Sequence, residues 1–352
     1  MKIAQIQMHV SADKAENIRH ACELVRSAGD IDLAVLPEMF CCPYDNACFR
    51  DYGEPFAGPA QRAMSQLARE RGIYLIAGSL PELEGHRVYN TSFVYAPDGT
   101  CIARHRKIHL FDIDVEGGQR FMESEVLSPG REVTTFDTPW GTMGLCICFD
   151  MRFQELCRLM ALRGARVIFA PAAFNMTTGP AHWKLLFRQR AVDQQCFTVG
   201  TSPARDKSAS YVAWGHSIVC DPWSRVIRQC PSREAVAVTE LDLSMVDSVR
   251  RQLRIVRLRL HEHVGRAVGR DHLIAARGHE ARECARAAAK IQQGMALAAP
   301  LLETLLIEVR ERGIIHVAGQ RIVPRGKGAI GAHACSSEAF SASSLSRANT
   351  IS

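Results

Sequence analysis

Strand-like and helix-like segments alternate along the first 243 residues, and this alternation is the feature that most constrains the fold. Residues 2–8 alternate apolar and polar side chains as a strand does, whereas apolar residues in 12–27 recur at helical spacing. A short apolar segment at residues 32–36 and a helix over residues 59–70, with Pro59 at its start, come next. Strands interleaved with helices predict the mixed α/β class, in which helices cover the faces of sheets.

The same alternation continues to residue 241. Strands are predicted over residues 74–79, 89–95, 101–105, 142–148, 165–170, 197–201 and 235–241, and helices over residues 152–162 and 181–194. Turn-forming residues at Pro97-Asp98-Gly99 and at residues 221–224 predict two hairpins. We therefore expect one large domain over residues 1–255.

Residues 256–352 form a divergent basic extension in which the pattern weakens. Helices over residues 279–292 and 300–312 and a strand pair over 314–323 are predicted, followed by a Gly/Ser/Ala-rich, disordered end. Residues 244–352 carry 17 Lys and Arg against 9 Asp and Glu, a net charge of +8, whereas residues 1–243 have a net charge of −2. The extension has a single aromatic residue, Phe340, and so lacks platforms for base stacking. A nucleic-acid partner is not expected.

Composition also limits where the protein is expected to work. The 352 residues contain no apolar run of about 18 residues, so no membrane span is predicted. The N-terminal residues have the pattern of a first strand and lack that of a secretory signal. The 13 cysteines are odd in number and contain no C-x-x-C spacing, which favours free thiols in a reducing compartment. We therefore expect a cytoplasmic protein.

Three reactive side chains each lie at the end of a predicted strand. Glu38 follows the strand at 32–36, Lys107 follows the strand at 101–105, and Cys148 ends the strand at 142–148. Taken singly, each has an ordinary structural explanation. Taken together, they supply a nucleophile, a base for its proton and a cation for an oxyanion, which are the parts needed for acyl transfer. The helix predicted after Cys148 is expected to favour its thiolate.

In this combination the three segments resemble the Glu, Lys and Cys triad of the nitrilase superfamily of carbon–nitrogen hydrolases, and the similarity runs from residue 1 to about residue 253. Within that superfamily, four stretches resemble the ω-amidase branch, whose members act on 2-oxoglutaramate and 2-oxosuccinamate. They are residues 106–115 (RKIHLFDIDV), 121–130 (FMESEVLSPG), 174–183 (FNMTTGPAHW) and 202–216 (SPARDKSASYVAWGH). The resemblance implies an α-β-β-α sandwich that forms a homodimer with an αββα-αββα arrangement.

The resemblance also implies catalytic roles. Cys148 corresponds to the nucleophile, Glu38 to the general base, Lys107 to the cation that stabilises the oxyanion, and Glu123 to a second glutamate that supports the site. The backbone N–H of Phe149 corresponds to a second oxyanion donor. The expected reaction hydrolyses the terminal amide of a small carboxylate-bearing substrate to an acid and ammonia through a cysteine thioester, with no metal and no cofactor.

Substrate binding is expected to depend on Arg152, Phe174 and Thr178, with Phe149 beside them. These positions match those that hold the carboxylate end of a keto-acid substrate in the ω-amidase branch. For Arg152 the physical reason is direct, because a guanidinium group binds a carboxylate through two parallel hydrogen bonds.

Three alternatives remain open at this point. A metal site would need ligands such as Cys146 with Cys148, His105 with His109, or Cys41 with Cys42, but no zinc-finger spacing is present. An interaction protein would combine the basic extension with an inactive amidase core, although all the triad residues are present. Deaminated glutathione or an N-carbamoyl amino acid would be hydrolysed by the same triad.

Overall fold

A computed structural model describes residues 1–116 and 119–253, and these residues form strands and helices close to the predicted ones. The first half contains β1 (Lys2–Gln7), α1 (Lys14–Ser27), β2 (Leu33–Val35), α2 (Asn46–Phe49), α3 (Pro59–Arg71), β3 (Tyr74–Glu84), β4 (Arg87–Tyr95), β5 (Cys101–Arg106), β6 (Asp112–Asp114) and β7 (Arg120–Met122). The second half contains β8 (Thr134–Thr138), β9 (Gly141–Leu145), α4 (Gln154–Leu162), β10 (Val167–Pro171), α5 (Gly179–Gln194), β11 (Phe197–Thr201), β12 (Ile218–Cys220), β13 (Val226–Gln229), β14 (Ala235–Glu240) and α6 (Ser244–Leu253).

Local sequence explains where the first helices begin and end. The Asp13 side chain accepts a hydrogen bond from the backbone N–H of Glu16 at 3.0 Å and so caps α1. Pro59 opens α3, where its missing N–H costs nothing, and Gly72 ends that helix in the left-handed conformation.

The strands form two six-stranded sheets and a small two-stranded one. Their orders are β14-β1-β2-β3-β4-β5, β13-β12-β11-β10-β9-β8 and β6-β7. Strands β1, β2 and β3 pair in parallel, as do β9, β10 and β11, and the outer strands are antiparallel. Because the carboxyl ends of parallel strands meet at one edge of a sheet, the loops after β2, β9 and β10 are brought to the same side of their sheets.

Helices cover the outer face of each large sheet, and the inner faces pack on each other. One buried cluster joins Val35 and Ile76 of the first sheet to Leu145 and Phe169 of the second. A second cluster packs α1 and α3 on the first sheet, and a third packs α4 and α5 on the second. The layers are therefore α-β-β-α, which confirms the predicted fold class.

Two differences from the predicted elements bear on the site. The strand predicted over residues 142–148 ends at Leu145, and a 3-10 turn over Cys148–Arg152 follows it before α4 begins at Gln154. Strand β8 was missed because its sequence, TTFDT, buries only Thr134 and Phe136 at the edge of a sheet.

The features predicted for residues 256–352 lie outside the described residues. Within the described part of the chain, no helix is both long enough and apolar enough to span a membrane. Nor do those residues group three or more His, Cys, Asp or Glu side chains in a way that could hold a metal ion.

Candidate active site

The loops at the ends of four strands bring the predicted catalytic side chains together. The Nζ atom of Lys107 lies 2.9 Å from Oε1 of Glu38 and 2.9 Å from Oε1 of Glu123. None of these three side chains has solvent exposure, and Cys148 is 3% exposed. The Cys148 thiol lies close enough to Glu38 and Lys107 for both charges to affect it. The structure thus gathers into one buried cluster the four residues that the sequence assigned to catalysis.

Glu38 reaches the cluster because the loop that carries it packs closely on the neighbouring strand β3. The backbone N–H of Leu36 donates to the carbonyl of Ile76 at 3.0 Å, so the chain still follows β3 as it leaves β2. Gly78 has a φ of +29°, and a Cβ atom at that position would lie 2.0 Å from the carbonyl oxygen of Pro37. A glycine at position 78 therefore lets the Glu38 loop pack directly on the neighbouring strand.

Lys107 is fixed through its backbone and through the residue opposite it. Its N–H donates to the carbonyl of Asn90 at 2.8 Å, and its own carbonyl accepts from the N–H of Gly130 at 2.8 Å. The side-chain amide of Asn90 also donates to Oε1 of Glu38 at 2.8 Å. One residue of β4 therefore positions both the cation and the base.

Cys148, the predicted nucleophile, occupies a strained turn. Cys148 is the first residue of the 3-10 turn and has a φ of +47°, which is uncommon for a residue with a side chain. The Asp150 carboxylate accepts a hydrogen bond from the backbone N–H of Ile147 at 3.0 Å and so closes the turn. Strained residues held by their surroundings are typical of active sites.

The surroundings of Cys148 favour its thiol form. Burial raises the pKa of the Cys148 thiol well above its usual range, the Glu38 carboxylate raises it further, and Lys107 opposes this only in part. The expectation that a helix would favour the thiolate is wrong, because a short 3-10 turn replaces the helix N-terminus and the thiol is buried. A buried thiol in these surroundings needs a base before it can act as a nucleophile.

Glu38 is suited to be that base. Its Oε1 atom accepts hydrogen bonds from Lys107 and Asn90, whereas its buried Oε2 atom accepts from no N–H or O–H group among residues 1–116 and 119–253. The carboxylate also interacts directly with the Cys148 thiol. Burial raises the pKa of Glu38 against the opposing charge of Lys107. Burial alone would lower the pKa of Lys107, but Glu123 and Glu38 outweigh it and keep the ammonium group charged. The cluster thus contains a thiol, a fixed cation and a carboxylate with one free oxygen.

The guanidinium group of Arg152 lies near Cys148 and close to two aromatic rings. The central carbon of Arg152 is 5.1 Å from the ring centre of Phe149 and 5.3 Å from that of Phe174. Its Nη2 atom lies 3.1 Å from Nδ1 of His182, and its buried Nε atom has no hydrogen-bond partner in the described part of the chain. Three of the four residues predicted to bind substrate are therefore in contact.

The fourth predicted residue, Thr178, has local partners. Its hydroxyl and its backbone N–H both donate to Oδ1 of Asn175, at 2.9 Å and 2.8 Å, just before α5 begins. These bonds hold the segment between Phe174 and α5 in place.

Reasoning from the sequence missed two features of the site. Tyr44, whose hydroxyl reaches both glutamates, follows Pro43 in a loop, and no local pattern distinguishes it. Asp150 and His109 lie inside segments that had been singled out, but their partnership joins two loops 41 residues apart. Only the fold reveals such contacts.

Comparison with known proteins identifies the family. The sequence pattern of the family described as carbon-nitrogen hydrolase matches residues 2–251. The chain belongs to this family. It is 48% identical to "Omega-amidase NIT2" of Danio rerio over 263 residues, which cover 74% of this chain and 95% of the relative. Identity to the Homo sapiens protein of the same name is 46% over 258 residues, which cover 73% of this chain and 94% of the relative.

Solved structures agree with this family. Nit3 of Saccharomyces cerevisiae, a member of branch 10 of the nitrilase superfamily, has a TM-score of 0.67 and 40% identity, covering 72% of this chain and 94% of its own. The NitFhit protein of C. elegans has a TM-score of 0.66 and 32% identity, covering 73% of this chain and 64% of its own. These comparisons confirm the predicted superfamily, the fold class and the interpretation as an amide-hydrolysing enzyme.

Proposed function

We propose that the protein is an ω-amidase that hydrolyses the terminal amide of a small 2-oxo acid, of the 2-oxoglutaramate or 2-oxosuccinamate type, to the acid and ammonia. The matches to the relatives named omega-amidase extend over nearly the whole length of those relatives, which supports the reaction class. The observation that carries the substrate class is Arg152. This guanidinium group lies beside the nucleophile, and no carboxylate of the described residues pairs with it.

Acylation uses the buried cluster. The Cys148 sulfur attacks the carbonyl carbon of the amide while Glu38 accepts the thiol proton. Lys107 and the backbone N–H of Phe149 stabilise the negative oxygen that forms, and one such donor is typically worth about 10²–10³ in rate. Glu38 then delivers the proton to the nitrogen, the carbon–nitrogen bond breaks, and ammonia leaves a thioester on Cys148.

Deacylation repeats these steps with water. Glu38 takes a proton from the water molecule, whose oxygen attacks the thioester carbon. The carbon–sulfur bond breaks, the proton returns to the sulfur, and the carboxylic acid is released. Glu123 holds the ammonium group of Lys107 in place throughout.

Arg152 would bind the remote carboxylate of the substrate. The energetic reason is that a half-buried guanidinium group with an unused Nε–H gains a charge-assisted, bidentate bond when a carboxylate arrives. The nearby rings of Phe149 and Phe174 help to hold the guanidinium group in place. Phe174 in turn packs against Trp183, with ring centres 5.0 Å apart.

Ammonia release from purified full-length protein tests this proposal. The substrates are 2-oxoglutaramate, deaminated glutathione, an N-carbamoyl amino acid and a neutral aliphatic amide. We expect the highest kcat/KM with 2-oxoglutaramate. A clear preference for deaminated glutathione or the N-carbamoyl amino acid would overturn the substrate class and leave the amidase chemistry intact.

Two variants separate the chemistry from the recognition. Cys148→Ala should abolish turnover of every substrate. Arg152→Lys keeps the charge but loses the bidentate geometry, so it should lower kcat/KM for 2-oxoglutaramate by about tenfold or more and affect the neutral amide little. Equal losses for both substrates would mean that Arg152 does not bind a substrate carboxylate.

We also propose that two copies form a homodimer in the cytoplasm. Helices α4 and α5 pack against each other, and each presents one exposed leucine, Leu162 at 51% and Leu185 at 60% exposure. The 11 described cysteines are all free thiols, which supports a reducing compartment. Sedimentation should give a dimer that Leu185→Glu weakens, whereas Phe56→Glu, an equally exposed apolar site that packs on the first sheet, should leave it intact.

A further inference from the structure

A tyrosine hydroxyl joins the two glutamates of the buried cluster. The Tyr44 oxygen lies 2.5 Å from Oε1 of Glu123, 3.3 Å from Oε1 of Glu38 and 3.3 Å from Nζ of Lys107. Tyr44 is 9% exposed. It lies in the loop after β2, which also carries Glu38. It is thus the one described hydroxyl group that contacts Glu38, Lys107 and Glu123 together.

The Tyr44 hydroxyl has one proton, and its contacts determine which group accepts it. Lys107 has only protons to offer, so it donates to the tyrosine oxygen and leaves the tyrosine proton for a carboxylate. The contact with Glu123 is 0.8 Å shorter than the contact with Glu38, and it therefore takes that proton. Burial, Glu123 and Glu38 raise the pKa of Tyr44 well above its usual range, so the hydroxyl remains a donor.

The two carboxylates consequently have different surroundings. Both oxygens of Glu123 accept hydrogen bonds: Oε1 from Tyr44 and Lys107, and Oε2 from the backbone N–H of Phe111 at 2.7 Å. Glu38 accepts from Asn90 and Lys107 on Oε1, its Oε2 atom accepts from no N–H or O–H group of the described residues, and its one further partner is the Cys148 thiol. Hydrogen bonds to a charged carboxylate favour its charged form, so a proton that enters the pair goes to Glu38.

We propose that Tyr44 is a positioning residue, whose hydroxyl keeps Glu123 charged and so leaves Glu38 as the carboxylate that exchanges the proton of the reaction. This inference rests on the roles proposed above for Glu38 and Cys148. Without the hydroxyl, Glu123 would compete for that proton. A smaller fraction of the enzyme would then have Glu38 as the base and Cys148 as the thiol that gives up its proton.

The groups that can titrate around this hydroxyl are few. They are Glu38, Glu123, Lys107, Cys148 and Tyr211, with Arg152 acting on Tyr211 from the substrate side. Lys107 and Arg152 remain charged near neutral pH, and the two tyrosines and the Cys148 thiol remain neutral because burial raises the pKa of each. A change near or below neutral pH therefore reports on the carboxylate pair.

The test is the pH profile of kcat/KM for 2-oxoglutaramate in Tyr44→Phe. Removing a donor from a charged pair makes protonation of that pair easier. We expect the acidic limb of the profile to move to higher pH by on the order of one unit, and kcat on the plateau to fall about tenfold, with KM little changed. A loss of activity with no movement of the limb would overturn the proposal.

Tyr211→Phe is the matched control. The Tyr211 ring stacks on that of Tyr44 with centres 4.4 Å apart, and its hydroxyl is also buried, but it donates to the carbonyl of Ala173. This variant removes a hydroxyl group from the same place without removing a donor to a carboxylate. We expect its acidic limb to stay at the wild-type position, and an equal shift in both variants would overturn the proposal.

A second substitution covers the case in which Tyr44→Phe does not fold. Site-specific incorporation of 3-fluorotyrosine at position 44 keeps the hydroxyl group and the ring but makes the phenol a stronger acid and a better donor. The acidic limb should then move to lower pH, opposite to the phenylalanine variant. A limb that stays in place would overturn the proposal.

The Cys148→Ala variant separates this inference from the proposed function. If Cys148→Ala still releases ammonia, the catalytic roles are wrong, and the inference falls with them. If Cys148→Ala is inactive while Tyr44→Phe keeps the wild-type limb, only the role of Tyr44 is wrong.

Discussion

The carboxylate of Asp150 accepts a hydrogen bond from Nε2 of His105 at 2.9 Å, and neither side chain is exposed to solvent. The same carboxylate accepts hydrogen bonds from the backbone N–H and the ring Nδ1 of His109, at 2.9 Å and 2.8 Å. It also closes the turn of Cys148 through the N–H of Ile147. One buried anion therefore fixes the turn of Cys148 to the loop that carries Lys107.

Asp150→Asn should destabilise the protein and slow it. Each carboxylate oxygen of Asp150 accepts hydrogen bonds from two donors. An asparagine replaces one of these oxygens by an NH₂ group, which cannot accept, so at least one buried donor loses its partner. We expect about 2–4 kcal/mol lower free energy of unfolding in urea, and a kcat lower by on the order of tenfold or more because the turn of Cys148 loosens.

The pH dependence of stability gives an independent check. Burial alone would raise the pKa of Asp150, but hydrogen bonds from His105 and His109 outweigh it and hold the pKa far below the usual range. A carboxyl group with a depressed pKa stabilises the fold above its unfolded pKa of about 4, and this stability is lost as pH falls below that value. Asp150→Asn should therefore lose less stability than wild type between about pH 4 and pH 2. An identical acid dependence would contradict this.

Glu38→Gln should slow amide hydrolysis and at the same time make the Cys148 thiol easier to ionise. Without its base, amide hydrolysis should fall by on the order of 10²-fold or more. The Glu38 charge also raises the pKa of Cys148, and Lys107 remains in this variant. Alkylation of Cys148 by iodoacetamide, measured against pH, should therefore reach its half-maximal rate at a lower pH than in wild type.

Cys148→Ala is the control for that measurement, because it identifies any label that other thiols take up. If the alkylation profile of Glu38→Gln moves to higher pH, the Glu38 charge does not raise the pKa of the Cys148 thiol, and this prediction is wrong.

The fold could be predicted largely from the sequence because local patterns determine it. Residues 197–201 form β11 with the predicted bounds, and the helix predicted over 181–194 differs from α5 by two residues at its start. The errors lie where tertiary contacts decide. Strand β9 stops at Leu145, although the apolar run continues to Cys148, because the Asp150 network turns the chain into a 3-10 conformation.

The site was only partly predictable for the same reason. Glu38, Lys107 and Cys148 follow strands, so their positions leave a pattern in the sequence. Tyr44 leaves none, since its importance depends on a contact with Glu123, 79 residues away. The state of the thiol also depends on burial, which strand and helix patterns alone do not give.

Gly200→Ala should destabilise the second sheet. A Cβ atom at position 200 on β11 would lie 2.3 Å from the ring of Phe187, a fully buried residue of α5. We expect about 1–3 kcal/mol lower free energy of unfolding, since neither the ring nor the sheet can yield easily. Gly144→Ala on β9 is the control. Its closest contact, at 2.8 Å, is the sulfur of Met160, and this flexible side chain can move aside, so a smaller loss is expected.

A chain ended after residue 265 should fold and keep its specific activity within about twofold of the full chain. The family match ends at residue 251, and the proposed catalytic and binding residues all precede that point. The predicted segments at 300–312 and 314–323 lie outside the described residues, and this experiment tests whether the domain needs them. Size-exclusion chromatography and ammonia release from 2-oxoglutaramate are the measurements.

A chain ended after residue 243 is the matched comparison, because it also removes α6. That helix buries Val246, which is 0% exposed, in the core between the sheets, and it also buries Val249, which is 1% exposed. Its Arg250 donates to the carbonyl of Ala165 at 2.6 Å. Loss of two buried valines removes apolar packing worth about 1.5–3 kcal/mol each, so the shorter chain should unfold or aggregate. If the chain ended at 265 behaves in the same way, residues beyond 265 belong to the folded unit, and the domain boundary at 255 is wrong.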